Sequence, residues 1–255
     1  MSEHFDAKKV KDEIVEFIRA YYKGNNLKGA VLGISGGKDS AVVAGLMCQA
    51  IGSKNVVGLT LPCHSKQDDA YDAKVVADKF GFKLINIDLT STYDNLVNTI
   101  CNAYICSKEE NLNSNINLIP RLRMSTIYYM AALLSKTSGG TYIVPGTSNA
   151  CEIYVGYYTK GGDSTYDLGV ITSLTVDEVI AVGEVLGVPD KVLYKTPDDG
   201  LSGMSDEKKL GVKYDDISRI IKNQDIDKIE KDKIEILHKN SMHKIIINKY
   251  QIKRD

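Results

Sequence analysis

The sequence predicts an α/β fold: a doubly wound parallel sheet with helices on both faces. Three observations carry that expectation. Between residues 29 and 147, short apolar runs alternate with stretches of helical periodicity. Several of those helical stretches stop at a glycine, as in "KDSAVVAGLMCQAIG" and "DDAYDAKVVADKFG". The chain has 255 residues, 43% of them apolar and 25% charged, which is enough for one sizeable domain with a full core.

The elements follow in order. Residues 3–23 read as an amphipathic helix with Ile14, Phe17 and Ile18 on one face, and Gly24 ends it. "GAVLGIS" (29–35) is a buried strand and 38–52 a helix. "NVVGLTLP" (55–62) is a strand, 68–81 a helix, "FKLINIDL" (82–89) a strand and 92–105 a helix. "NLNSNINLIP" (111–120) reads as an Asn-rich loop closed by Pro120. A helix follows over 121–136, with Met124, Ile127, Tyr128, Ala131, Leu134 and Ser135 at helical spacing. "TYIVPGT" (141–147) is a strand running into a turn. The stretch 148–169, rich in Gly, Tyr, Thr and Asp, reads as a long functional loop. Residues 175–187 return to helix, with Thr175 and Glu178 spaced as a capping box. A second polar loop spans 195–211, and helices are expected at 214–222 and 225–239. Crossovers between parallel strands are right-handed, and ligands bind beyond the carboxyl ends of the strands. Residues 35–40 and 146–152 lie at such ends.

Composition excludes several classes of function. The net charge of -1 leaves no footprint for nucleic acid, and the lysine-rich C-terminal third interleaves Asp and Glu until its last stretch. Five cysteines with no CxxC pair argue against disulfides and a structural zinc site, and for a reducing cytoplasm. The first residues are polar and amphipathic, unlike a signal peptide. No apolar run is long enough to span a bilayer, so no membrane partner is expected.

The chemistry concentrates in "GISGGKDSA" (33–41), directly after the apolar run "AVL". A glycine-bearing turn between strand and helix offers backbone N–H groups and a helix N-terminus to an anion. Ser35 and Ser40 add hydroxyl donors, while Gly36 and Gly37 allow close backbone approach. Asp39 repels phosphate unless Mg²⁺, which favours one or two carboxylates plus phosphate oxygens, sits between them. The turn matches neither G-x-x-x-x-G-K-[ST] nor G-x-G-x-x-G. A plain helix cap needs only one of its residues.

"SGGKDS" after a buried strand resembles the pyrophosphate-binding loop of the N-type ATP pyrophosphatases. Within that superfamily, "RLRM" (121–124), "VPGTSNACE" (144–152), "VGYYTKGGD" (155–163), "LGVP" (186–189), "KTPDDGLSGMSDEKKLGVKYDDI" (195–217) and "HK" (243–244) resemble the ammonia-dependent NAD synthetases, in that family's order. The resemblance runs from about Gly29 to about Lys244. It implies an adenine nucleotide alpha hydrolase-like, Rossmann-like fold and one synthetase domain over 1–255 without a glutaminase domain. It also implies amidation of deamido-NAD (nicotinic acid adenine dinucleotide) by ammonia through an acyl adenylate, giving NAD, AMP and pyrophosphate. Carried over residue by residue, Gly33, Ile34, Ser35, Gly36, Gly37, Lys38, Asp39, Ser40 and Thr147 bind ATP. Asp39 and Glu152 hold two Mg²⁺ ions that neutralise the leaving pyrophosphate. Arg121, Lys160, Asp167, His243 and Lys244 contact deamido-NAD. Arg121 and Arg123 fall in the first turn of the expected helix, where the dipole disfavours a cation and binding an anionic substrate would explain them. The family is usually a homodimer, and the apolar face of 121–135, with Tyr128, is the candidate contact.

Three positions depart from the family pattern. Val176 stands where Lys is common, Asp198 where Ser or Thr is common, and Lys38 where a neutral residue is common. Lys38 could offset the acid at 198. Two other readings stay open: another adenylating enzyme of the superfamily, tRNA-modifying or GMP synthetase-like, and a non-catalytic adenine-nucleotide binder.

Overall fold

The computed structural model describes residues 5–65, 67–104, 108–196, 205–246 and 249. Four parallel strands form the central sheet: β1 (Leu27–Gly33), β2 (Val56–Thr60), β3 (Lys83–Asn86) and β4 (Thr141–Ile143), in the order β3-β2-β1-β4. Alternation along β1 divides the core. Ala30 and Leu32 face one layer, and Val31 faces the other. Helices α1 (Ala7–Gly24), α2 (Lys38–Ile51), α3 (Gln67–Phe80) and α7 (Val176–Leu186) cover the first face; α4 (Thr90–Ala103) and α5 (Lys108–Ser138) cover the second. The expected doubly wound sheet is therefore present. Glu178 Oε2 accepts the Thr175 N–H at the start of α7, as the capping pattern predicts.

Five expectations need correction. The stripe of α1 that is buried is Val15, Ile18 and Tyr22, and Phe17 is half exposed. The stretch 111–120 is helical and belongs to α5, which runs 31 residues with Pro120 in its interior. An interior proline costs about 3 kcal/mol through a lost hydrogen bond and a ring clash. Burial of Ile119 and Ala131, with Ile127 and Leu134 packed alongside, offsets it. Arg121 and Arg123 consequently sit in mid-helix, and the dipole argument does not apply to them.

The loop expected over 148–169 contains α6 (Ala150–Val155) and β6 (Leu168–Gly169), the latter pairing in parallel with β5 (Pro145–Gly146). The loop expected over 195–211 contains α9 (Asp206–Leu210), after the short α8 (Asp190–Leu193). The chain then forms α10 (Tyr214–Ile221) and α11 (Lys228–Ile245). A third apolar cluster, with Cys151, Val155, Tyr214, Ile217 and Ile234, seats these last helices on α6. Gly156, left-handed at φ 68°, ends α6, and a Cβ there would lie 2.1 Å from the Ser241 Cβ of α11. That close approach brings α11 to the carboxyl end of the sheet.

Candidate active site

β1 ends at Gly33, and the Ile34 N–H still donates to the Leu59 carbonyl (2.8 Å) before the chain turns into α2. Gly36 has φ 78°, and a Cβ there would lie 2.8 Å from the Asp69 carbonyl oxygen, so the turn requires glycine. The two serines lock the turn. Ser40 Oγ accepts the Ser35 N–H (3.2 Å) and donates to the Gly37 carbonyl (3.1 Å), while Ser35 Oγ accepts the Gly37 N–H (3.3 Å). The turn opens into a cleft of about 590 Å³, lined by Gly33, Ile34, Ser35, Gly37, Lys38, Asp39 and Ser40. Thr147, Glu152 and Lys244 line the same cleft.

Asn149 joins the two halves. It is fully buried and caps α6, its Oδ1 accepting from the Cys151 and Glu152 N–H groups (3.0 and 3.1 Å). Glu152 Oε2 reaches back to accept the Asn149 N–H (3.1 Å), closing a capping box. Asn149 Nδ2 donates to Asp39 Oδ1 (3.1 Å). Asn149 thus fixes both candidate metal carboxylates, Asp39 through its side-chain amide and Glu152 through its backbone N–H. Burial first, and the Asp39 charge second, push the Glu152 carboxyl well above the ordinary carboxylate range. Lys38 Nζ lies 2.9 Å from the other Asp39 oxygen, Oδ2. Burial works against the Lys38 charge, but Asp39 outweighs it, and Glu152 and Asp206 add to the effect, so Lys38 titrates above the ordinary lysine range. Asp206 lines the cleft and accepts from the Tyr157 hydroxyl (2.9 Å).

The donor set fits Mg²⁺, since Asp39 and Glu152 are hard oxygen ligands in one cleft. Among the described residues no three His, Cys, Asp or Glu side chains are grouped so as to hold a metal. A metal here would share its coordination with phosphate oxygens.

The residues expected to contact the acceptor fall into three places. Lys244 lines the cleft and donates to the Gly156 and Tyr158 carbonyls (2.6 and 2.7 Å), its ammonium 5.2 Å from the Tyr158 ring centroid. Arg121, Lys160 and His243 come together at an exposed edge beyond the cleft wall: Arg121 Nε donates to the Lys160 carbonyl (3.2 Å), and Lys160 Nζ to the His243 carbonyl (2.9 Å). Asp167 is engaged elsewhere, accepting from the Tyr128 hydroxyl (3.0 Å) and the Val144 N–H (2.8 Å). Tyr128 lines the cleft, so the exposed face of α5 is carried by Tyr129 and Leu133 instead.

Sequence reasoning missed Asn149 and Asp206, although N-x-x-E and S-D-E are readable cap patterns. It also missed Lys195, which lines the cleft and pairs with Asp69 and Asp72 (2.9 and 2.8 Å). Arg123, expected with Arg121 to meet an anionic substrate, is in the cleft wall, donating to the Leu61 carbonyl (3.0 Å) and Ser65 Oγ (3.3 Å). Val176 packs in the apolar cluster of Tyr214, and Asp198 lies outside the described residues. Cys63 and Cys151 are fully buried, and burial raises both thiols, as expected of inert side chains.

The NAD synthase family model matches residues 10–254. The NH(3)-dependent NAD(+) synthetase of Alkaliphilus oremlandii is 38% identical over 240 residues, covering 91% of this chain and 92% of that one. That of Carboxydothermus hydrogenoformans is 38% identical over 211 residues, covering 82% and 83%. Among solved structures, the NMN synthetase of Francisella tularensis superposes with a TM-score of 0.87 at 28% identity, over 97% of this chain and 99% of that one. A match of this extent, to a family model and to full-length relatives alike, places the chain in the NAD synthase family.

Proposed function

We propose that this chain is an ammonia-dependent NAD synthetase, a ligase that forms a C–N bond by adenylating the carboxylate of deamido-NAD with ATP and passing the acyl group to ammonia. The observation that carries this reading is the phosphate turn facing Glu152, with Asn149 tying Asp39 and Glu152 into one cleft. Residues 33–40 bind the ATP phosphates through turn N–H groups and the two serine hydroxyls. Thr147, which lines the same cleft, adds a contact. Asp39 and Glu152 hold Mg²⁺, which supplies charge neutralisation on the departing pyrophosphate. Arg123 and Lys195 present further cations to the cleft. Lys244 and the edge group of Arg121, Lys160 and His243 take the anionic acceptor. Asp167 positions Tyr128 against the cleft. No covalent nucleophile is required: the chemistry is orientation and electrostatic stabilisation. The chain works as one domain, in the cytoplasm, as a homodimer.

The test is purified protein with ATP, Mg²⁺, ammonium and deamido-NAD, reading NAD by coupled reduction, with Asp39→Ala alongside. NAD from the wild type and a loss of at least about 100-fold in Asp39→Ala are expected, as for removal of a principal electrostatic group. The mononucleotide acid is run in parallel, because the Francisella structure is that of an NMN synthetase. Preferential turnover of the mononucleotide would replace the acceptor in this reading, and no turnover of either would reject it.

A further inference from the structure

Lys38 is an unusual occupant of a phosphate turn. It is 6% exposed, yet it lines the cleft that the turn builds. It lies 2.9 Å from Asp39 Oδ2, and the other Asp39 oxygen already accepts from Asn149 at 3.1 Å. Each Asp39 oxygen therefore already accepts one protein donor, one of the two carrying a full charge. Glu152 and Asp206 are the next carboxylates acting on that ammonium. The Tyr214 ring lies below it, 5.9 Å from Nζ to the centroid. Tyr214 opens α10 and is buried in the third apolar cluster.

A buried ammonium with carboxylates around it and phosphate expected above it stands where a divalent ion would otherwise balance charge. We propose that Lys38 is a resident cation of the diphosphate site that replaces one of two metal ions, so that the chain binds ATP with a single Mg²⁺. The proposal rests on the ATP-site reading above. It differs from that reading in assigning one of the site's two positive charges to the protein. The same arrangement follows from charge matching: Lys38 offsets part of the carboxylate charge of Asp39 and Glu152 before nucleotide arrives, so that one metal on those carboxylates and the phosphate oxygens completes the balance. A lysine also holds phosphate as a compact point charge without imposing coordination geometry.

Two binding readouts test this without any acceptor. Mn²⁺ titrated into protein saturated with ATP, followed by the loss of free Mn²⁺ signal in electron paramagnetic resonance, counts ions per chain. One ion in the wild type and in Lys38→Arg, and two in Lys38→Met, are expected. ATP affinity in EDTA, measured by calorimetry, is expected to fall at least tenfold in Lys38→Met and to hold within about threefold in Lys38→Arg. Far-ultraviolet circular dichroism checks that each variant is folded, and the arginine variant carries the test if the methionine one is not. Two Mn²⁺ ions in the wild type, or in Lys38→Arg, overturn the proposal. So do equal ion counts in the wild type and Lys38→Met with unchanged metal-free ATP affinity. Failure of the wild type to bind ATP even with Mg²⁺ rejects the ATP-site reading itself, which is a separate result.

Discussion

Asn149 does two tasks with one side chain. Its carbonyl oxygen caps α6, and its amide nitrogen steers Asp39. The two tasks separate by substitution. Asn149→Asp keeps a good capping oxygen but places a second carboxylate against Asp39. Asn149→Ala removes both functions and leaves the N–H groups of Cys151 and Glu152 without that acceptor. The alanine variant is expected to lose about 1–2 kcal/mol of stability in urea denaturation, the usual cost of a lost cap. Asp39 loses its amide donor in both variants, so turnover should fall in both. An Asn149→Asp enzyme with wild-type turnover would show that Asn149 serves only as a cap. At this scale the sequence was legible where chemistry and backbone demand the same residue: Gly36, Ser35, Ser40 and Asp39 announce their turn. The capping half of Asn149 was legible as N-x-x-E, but its hold on Asp39 was not, because that partner lies 110 positions away.

Between elements, the phosphate turn is braced from behind by a charged clamp linking α3 to the α8 region. Asp72 of α3 is buried and pairs with Lys195 Nζ at 2.8 Å through Oδ2 and with Lys191 Nζ at 2.8 Å through Oδ1. Its Cβ lies 3.1 Å from where a Cβ on Gly36 would stand, so the clamp touches the turn directly. Burial pushes the Asp72 carboxyl up, but hydrogen bonds from Lys191 and Lys195 outweigh it and hold it below the ordinary carboxylate range. A carboxyl held low in the folded state stabilises the fold above its unfolded pKa of about 3.9, and that contribution is lost as the pH falls through the lower folded value. Both lysines are partly solvated, so the cost of Asp72→Asn at pH 7 is expected to be about 1–3 kcal/mol, not the larger cost of breaking a dry pair. Urea midpoints at pH 7, 5 and 4 measure it. The gap between wild type and variant should hold from pH 7 to 5 and narrow towards pH 4. A gap that widens on acidification would mean that the lysines do not hold Asp72 ionised. The elements that sequence reasoning missed have a shared cause. α6 and α9 are short helices whose hydrophobic residues are spent on the third cluster, so neither shows a periodic stripe of its own. The reach of α5 back through 111–120 was hidden by Asn and Pro, whose weak local preference tertiary packing overrides.

Across the whole molecule, the parallel sheet was readable because the two central strands, β1 and β2, are apolar runs buried on both faces and each crossover is helical. What the sequence concealed is which apolar residues stay outside. α4 has no buried residue over its whole length. Its Leu96 and Ile100, one helical turn apart, are exposed, and so are Tyr129 and Leu133 on the neighbouring α5. Tyr129 is 69% and Leu133 43% exposed, whereas Tyr128, one residue earlier, turns into the cleft. A second copy of the chain is the occupant that the proposed homodimer places on this face. An isologous pairing would need at least about 1,000 Å² of total buried area, which two facing helix pairs can supply. The variant Tyr129→Glu with Leu133→Glu puts two like charges per copy at that contact and removes no core residue, so it should remain folded by circular dichroism. Light scattering is expected to give twice the chain mass for the wild type and the single-chain mass for the variant. A dimeric variant would move the interface off α5, and a monomeric wild type would remove the dimer from the proposed function. The Arg121, Lys160 and His243 edge supplies a further reading of the same samples. If acceptor affinity falls with dimer loss while ATP affinity holds, that exposed edge needs the second copy to complete it.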